Sequence, residues 1–103
     1  MAQANHPALT HGQEEAARNL NNYMRKLYRR HAYTRWMDLD WILLHAHRMA
    51  GTARQDAVQA ALHGFHRGGR RFDVWFSLDP YSPDGYQYEI RLRPHLYTNK
   101  HGR

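Results

Sequence analysis

The chain has 103 residues, of which 42% are apolar and 13% aromatic, and its net charge is +6 at neutral pH. These values exclude a fully disordered chain and predict one small domain, whose modest core a partner or a second copy could complete. No apolar run could cross a bilayer, no cysteine is present, and no signal peptide is recognisable. We therefore expect a cytoplasmic protein without a membrane partner, and the basic charge favours an anionic partner such as nucleic acid.

One domain accounts for most of the sequence. We expect a flexible arm at residues 1–9, a single α+β domain at residues 10–97 and a polar tail at residues 98–103. The turn signals and apolar patterns that mark helices and strands all fall inside the middle range.

The first predicted element is a helix over residues 11–31. Thr10 and Gln13 have the spacing of a capping box, and an apolar stripe follows them at helical spacing. A second stripe on the opposite side carries Arg18, Arg25 and Arg29. Because a guanidinium can donate two parallel hydrogen bonds, this stripe predicts contacts with phosphates, and an ordinary solvated helix face is the alternative.

Two further helices, joined by a tight turn, are expected next. Asp38 can cap the first, Gly51 ends it, and Thr52 with Gln55 has the pattern of another capping box. This order indicates a helix-turn-helix unit, whose second helix would read bases in the major groove. The candidate base contacts are the side chains off its apolar stripe: Gln55, Gln59 and His63.

A β-hairpin is predicted over residues 71–94. Apolar and polar side chains alternate on both sides of a turn rich in proline, aspartate and glycine, at residues 79–85. A hairpin that follows a helix-turn-helix resembles the wing of a winged helix. We therefore predict an α+β fold of three helices followed by a two-stranded antiparallel hairpin, in winged-helix-like order.

The hairpin also predicts a second group of arginines next to the glycines at residues 68–69. If Leu78 pairs with Tyr86, then Arg71 lies opposite Arg93, and a bound polyanion would relieve the repulsion between these like charges. Charges that protect an edge strand from aggregation are the alternative. The phosphate contacts predicted in this region are Arg67, Arg70, Arg71, Arg91 and Arg93.

Two aromatic side chains are candidates for a protein interface. Trp75 projects from the polar face of the predicted hairpin, and Tyr81 lies in its loop. Aromatic side chains are enriched at binding hot spots and also stack on unpaired bases. Packing of the helices or of a second subunit over Trp75 is the alternative, since two strands alone are marginally stable.

No pattern in the sequence predicts catalysis, a bound metal or a cofactor. The histidine pairs lack a third ligand nearby in the sequence. Pro83-Asp84 followed by Glu89 superficially resembles the Pro-Asp…Glu-x-Lys metal site of restriction-type nucleases, but the spacing is very short and Arg91 replaces the lysine. A hairpin turn favours Pro-Asp-Gly for conformational reasons alone. We therefore expect a protein that is not an enzyme.

These observations predict a small, basic, non-enzymatic nucleic-acid-binding protein, a regulator or accessory factor of the phage or plasmid type. The alternative is a protein-binding inhibitor or adaptor that docks on an acidic or nucleoprotein partner through the hairpin aromatics and arginines. The sequence leaves open whether the nucleic acid is DNA or RNA, and whether the chain is a monomer or a homodimer.

Overall fold

The computed structural model describes residues 9–31, 35–66 and 69–93. Within these ranges the chain forms three α-helices and two antiparallel sheets, as the predicted α+β class requires. The elements are α1 (His11–His31), β1 (Met37–Asp38), α2 (Leu39–His45), a 3₁₀ turn (His47–Met49), α3 (Arg54–His63), β2 (Phe65–His66), β3 (Gly69–Arg70), β4 (Phe72–Leu78) and β5 (Tyr86–Leu92). Except for residue 9, the predicted arm and tail lie outside the described residues.

Helix α1 has the predicted bounds and the predicted capping box. The amide of Thr10 donates to Oε1 of Gln13 at 3.0 Å, and the amide of Gln13 donates to the Thr10 hydroxyl at 3.1 Å. The apolar stripe of α1 packs mainly against α3. No helix in the described part of the chain is long and apolar enough to cross a membrane.

The second helix is shorter than predicted. Asp38 caps it as expected, because Oδ1 of its side chain accepts the amide of Asp40 at 2.9 Å, but the helix ends at His45. At Ala46 the backbone becomes extended, and the 3₁₀ turn carries the chain on. Ala46 and Met49 are both buried, so the spacing that predicted one long helix is satisfied by two shorter pieces.

Helix α3 does not form the predicted capping box. Its N-cap is Ala53, which has no side chain that can accept a hydrogen bond, so the pairing predicted for Thr52 and Gln55 is wrong. The buried face of the helix is apolar, as expected, and consists of Ala57, Val58, Ala60 and Ala61. Tertiary packing therefore sets the start of α3 in place of a local cap.

The hairpin has the predicted register but belongs to a three-stranded sheet. Strands β4 and β5 pair with Leu78 opposite Tyr86, as expected. Strand β1, which no sequence pattern predicted, pairs with β5 so that Met37 lies opposite Ile90, and the strand order is β1-β5-β4. The prediction of a two-stranded sheet is therefore wrong, because two residues are too few to show alternation.

Only half of the apolar face of the hairpin lies in the core. Phe72, Ile90 and Leu92 are fully buried, whereas Phe76 is 54% exposed and Leu78 is 80% exposed. The apolar alternation marks one face of the hairpin for burial, but this face is exposed at the loop end. Alternation identifies the two faces of a strand, but it does not tell how far the helices extend over one of them.

Candidate nucleic-acid interface

Three arginines form an exposed stripe on α1, away from its buried face. Arg18, Arg25 and Arg29 are all exposed. Spacings of seven and four residues place their side chains on one side of the helix. The predicted stripe is therefore present on the folded protein.

A close contact between α1 and the residue after α3 brings Arg71 to this stripe. The carbonyl of Gly64 accepts the amide of Arg71 at 3.0 Å. A Cβ atom at position 64 would lie 3.3 Å from Cβ of Ala17 and 2.5 Å from the carbonyl oxygen of Ala60. Only glycine fits this approach, so Gly64 sets the position of Arg71 beside α1.

Arg71 lies within electrostatic reach of two arginines of the stripe. Burial lowers the pKa of Arg71, and the positive charges of Arg18 and Arg25 lower it further. Arg18, Arg25 and Arg71 are hereafter the arginine cluster. An anion that enters between like charges is attracted by all of them at once, so the cluster is suited to a phosphate.

Arg93 adjoins the arginine cluster, since its amide donates to the carbonyl of Arg71 at 3.2 Å. Its Nη1 donates to one carboxylate oxygen of Asp73 at 3.1 Å, and Nε of Arg91 donates to the other oxygen at 3.0 Å. Asp73 therefore offsets the repulsion predicted between the opposed arginines, and no polyanion is needed for that purpose. Arg91 also lies over the ring of Trp36, at 4.8 Å from its centroid.

Two further arginines predicted to contact phosphate are Arg29 and Arg70, and no described side-chain contact joins either of them to the arginine cluster. Arg29 lies one helical turn beyond Arg25 and is exposed. Arg70 is exposed in β3, where its backbone pairs with Phe65. Arg67 lies outside the described residues.

The predicted base-reading side chains share one face of α3. Gln55, Gln59 and His63 follow one another at intervals of four residues, opposite the buried face of the helix. Gln55 is exposed, and the other two are partly buried. His63 immediately precedes Gly64, whose carbonyl accepts the amide of Arg71. Base reading by these residues stays a prediction.

Both candidate residues of a protein interface are accessible. Trp75 is 56% exposed, and Tyr81 in the hairpin loop is 95% exposed. Trp75 lines a groove of about 250 Å³ together with Trp36 and Glu89. The helices do not cover Trp75, and its binding of a protein partner stays a prediction.

The hairpin loop is fastened by Arg54, a residue that the sequence did not single out. Nε of Arg54 donates to Asp40 at 2.8 Å, and Nη2 donates to the carbonyl of Tyr86 at 2.9 Å. Its Nη1 lies 3.0 Å from the carboxylate of Asp84, and its guanidinium lies 5.5 Å from the ring centroid of Tyr88. One side chain thus joins α2, α3 and the loop, and no local pattern signals such a role.

Asp84 belongs to the Pro83-Asp84 pair that resembles a nuclease metal site, but its hydrogen bonds stabilise the hairpin loop. Its carboxylate accepts the amide of Tyr86 at 3.1 Å and the hydroxyl of Tyr88 at 2.8 Å, besides the contact with Arg54. Glu89 follows Tyr88 on the strand and therefore projects from the opposite face. Among the described residues, no three histidine, aspartate or glutamate side chains could hold a metal ion. Lack of enzymatic activity stays a prediction.

The contacts of Asp84 predict an acid-sensitive loop. Desolvation by itself would raise the pKa of Asp84, but hydrogen bonds from Tyr88, Tyr86 and Arg54 lower the pKa from 3.8 to about 2. Because the pKa of Asp84 is lower in the folded chain than in the unfolded chain, its ionised carboxylate stabilises the fold at pH values above the unfolded pKa. This stabilisation is lost as the pH falls through the folded pKa. We expect urea unfolding to show stability decreasing from about pH 4 to about pH 2. The decrease should be smaller in Asp84→Asn, and an equal decrease would contradict the assignment.

Comparisons with known proteins supply no class for this chain. A scan against protein-family models, a search of curated proteins and a search of solved structures each find no match. The class of protein has to be inferred from the side chains described above and their geometry.

Proposed function

We propose that the protein is a small, non-enzymatic nucleic-acid-binding protein that holds the phosphate backbone on its arginine cluster. The proximity of Arg18 and Arg25 on α1 to Arg71, the residue before β4, carries this proposal. Guanidiniums on rigid elements suit phosphates, whose charge and geometry they match. A net charge of +6 adds long-range attraction for a polyanion.

A more specific version of the proposal is that the chain is a regulator or accessory factor of the phage or plasmid type, with its helices and hairpin in a winged-helix-like order. Helices α2 and α3 are followed by the β4–β5 hairpin, and the row Gln55, Gln59 and His63 would face the bases. The hairpin loop itself is a poor phosphate contact. It carries Asp79 and Asp84, and Arg54 holds it against the helices. In this form, backbone contacts belong to the arginine cluster and not to the loop.

Removing two charges of the cluster should weaken binding to duplex DNA. We expect Arg18→Gln/Arg25→Gln to lower the affinity about ten-fold or more at low salt, because two phosphate contacts are lost. Fluorescence anisotropy with a labelled duplex measures the affinity.

A matched control uses the same helix. Lys26→Gln/Arg30→Gln removes the same charge from a different flank of α1 and should leave duplex affinity within about three-fold of the wild type. Equal losses of duplex affinity in both variants would show that binding depends on the overall positive charge and not on a specific site. A wild-type protein that binds neither DNA nor RNA at low salt would remove the proposal.

A protein-binding inhibitor or adaptor is the second candidate function, and the exposed apolar end of the hairpin favours it. Phe76 and Leu78 are exposed there, Tyr81 projects from the adjoining loop, and Trp75 is exposed on the other face. Contiguous exposed apolar side chains mark surfaces that other proteins cover. A homodimer is one form of this candidate, and sedimentation equilibrium of the purified chain detects it directly.

A further inference from the structure

A groove of about 480 Å³ opens between α1 and the segment that leads into α2. Three aromatic side chains line it, namely Tyr23, Trp36 and Trp41, and both tryptophans are exposed. One face of Trp41 stacks on His45, with 4.3 Å between the ring centroids, and Arg91 lies over one face of Trp36. A further ring would therefore stack on the opposite face of either tryptophan. Asp38 is the one acidic side chain in the lining of this groove. Its carboxylate has two hydrogen-bond donors, because it caps α2 and also accepts a hydrogen bond from Gln87 at 3.2 Å.

Basic side chains continue the groove along α1. A separate cavity of about 250 Å³ shares Tyr23 and Leu27 with the aromatic groove and lies among Lys26, Arg30 and Arg48. Arg35 lines the aromatic groove. Desolvation raises the pKa of Tyr23, while the nearby charges of Arg30 and Arg35 oppose that rise. None of the four basic residues forms an ion pair with a carboxylate in the described ranges, so their charges remain available to an anion.

We propose that this groove binds an unpaired nucleotide of a single-stranded nucleic acid, with its base against the aromatic rings and its phosphates among the basic side chains. Flat rings next to cations are the two features by which proteins bind single strands without reading their sequence. Bases in a duplex are stacked on one another and cannot enter such a groove.

The groove is a separate site from the arginine cluster. Lys26 follows Arg25 in the sequence, and successive residues of a helix are turned by roughly 100° from each other. The basic side chains of the groove and those of the arginine cluster therefore project from different flanks of α1, and each set can be substituted without the other. The proposal does not depend on the duplex-binding function, and either can fail without the other.

Tryptophan fluorescence can detect the stacked base directly. In a Trp75→Phe background, the signal comes from Trp36 and Trp41 alone, since the chain has three tryptophans. We expect a five-nucleotide oligothymidylate to quench this signal. Trp41→Ala should weaken binding of the fluorescein-labelled strand about ten-fold, as measured by anisotropy, because base–aromatic stacking is lost. Trp41 is exposed, so the variant should fold, and circular dichroism verifies this.

A charge variant and two other probes complete the test. Lys26→Gln/Arg30→Gln should also weaken the oligothymidylate about ten-fold, whereas Arg29→Gln/Arg70→Gln, which removes two exposed charges outside the groove and the arginine cluster, should stay within about three-fold of the wild type. An abasic strand of equal length that binds as tightly as oligothymidylate would overturn the base contact. A polyglutamate peptide that binds as tightly would overturn the assignment to nucleic acid. Loss of duplex binding with retained oligothymidylate binding would leave the groove proposal supported.

Discussion

Replacing Phe72 by alanine is expected to lower the free energy of unfolding by about 3–5 kcal/mol. Phe72 is fully buried, and in the sheet it lies opposite Leu92, which is also fully buried. The substitution removes buried apolar surface and leaves a cavity that the surrounding strands and helices cannot close completely. Small domains have a total stability of about 5–15 kcal/mol, so this loss is a large fraction of it. Urea unfolding at neutral pH measures the change.

A matched control lies four residues further along the same face of β4. Phe76 is 54% exposed and contacts the rings of Tyr86 and Tyr88, so Phe76→Ala should cost about 1 kcal/mol or less. Similar losses for the two phenylalanines would contradict the finding that the core covers only one half of the hairpin.

The second large effect is expected at Arg54. Arg54→Met should lower the free energy of unfolding by about 2 kcal/mol, because hydrogen bonds to charged partners are lost. The side chain is only 18% exposed and serves Asp40, Asp84 and the carbonyl of Tyr86. Methionine keeps most of the apolar stem, so the change measures mainly the guanidinium. Urea unfolding again gives the value.

Arg48 provides the comparison for Arg54. It is exposed and forms no ion pair with a carboxylate of the described residues. Arg48→Met should therefore change the free energy of unfolding by about 0.5 kcal/mol or less. If the two methionine variants were equally stable, Arg54 would not fasten the loop as its contacts indicate.

Elements with strong local signals could be predicted from the sequence. The capping box at Thr10 and the apolar stripe behind it define α1, because both depend on residues within one or two turns. The turn residues and the alternation define the β4–β5 hairpin, and the register assumed for it, with Leu78 opposite Tyr86, is the one observed. Strand β1 could not be predicted in this way, since pairing with β5 makes it a strand and its own two residues do not.

The candidate sites were predictable in part. The sequence showed the stripe of Arg18 and Arg25 and, separately, the arginine at residue 71. The proximity of Arg71 to the stripe depends on the packing of Gly64 against Ala17, which is long-range and leaves no local pattern. The groove was missed for a similar reason, because its walls come from α1 and from the segment at residues 35–48. The spacing of Tyr23 on α1 is that of the apolar stripe and does not indicate a groove.

The ion pairs of Arg54 could not be predicted from the sequence either. In the sequence it is one arginine at the start of a helix, next to other polar residues. Its partners, Asp40 and Asp84, come from α2 and from the hairpin loop. Only the folded arrangement brings these opposite charges within hydrogen-bond distance, so no spacing rule could have identified them.

The salt dependence of duplex binding tests the central claim most directly. Each phosphate that a cationic side chain neutralises adds about 0.9 to the steepness of the plot of log affinity against log salt concentration. We predict that the wild type shows a steep decrease and that Arg18→Gln/Arg25→Gln shows a slope shallower by about 1.8, since two contacts are missing. Identical slopes for the two proteins, or no binding by the wild type at low salt, would contradict a phosphate-binding arginine cluster.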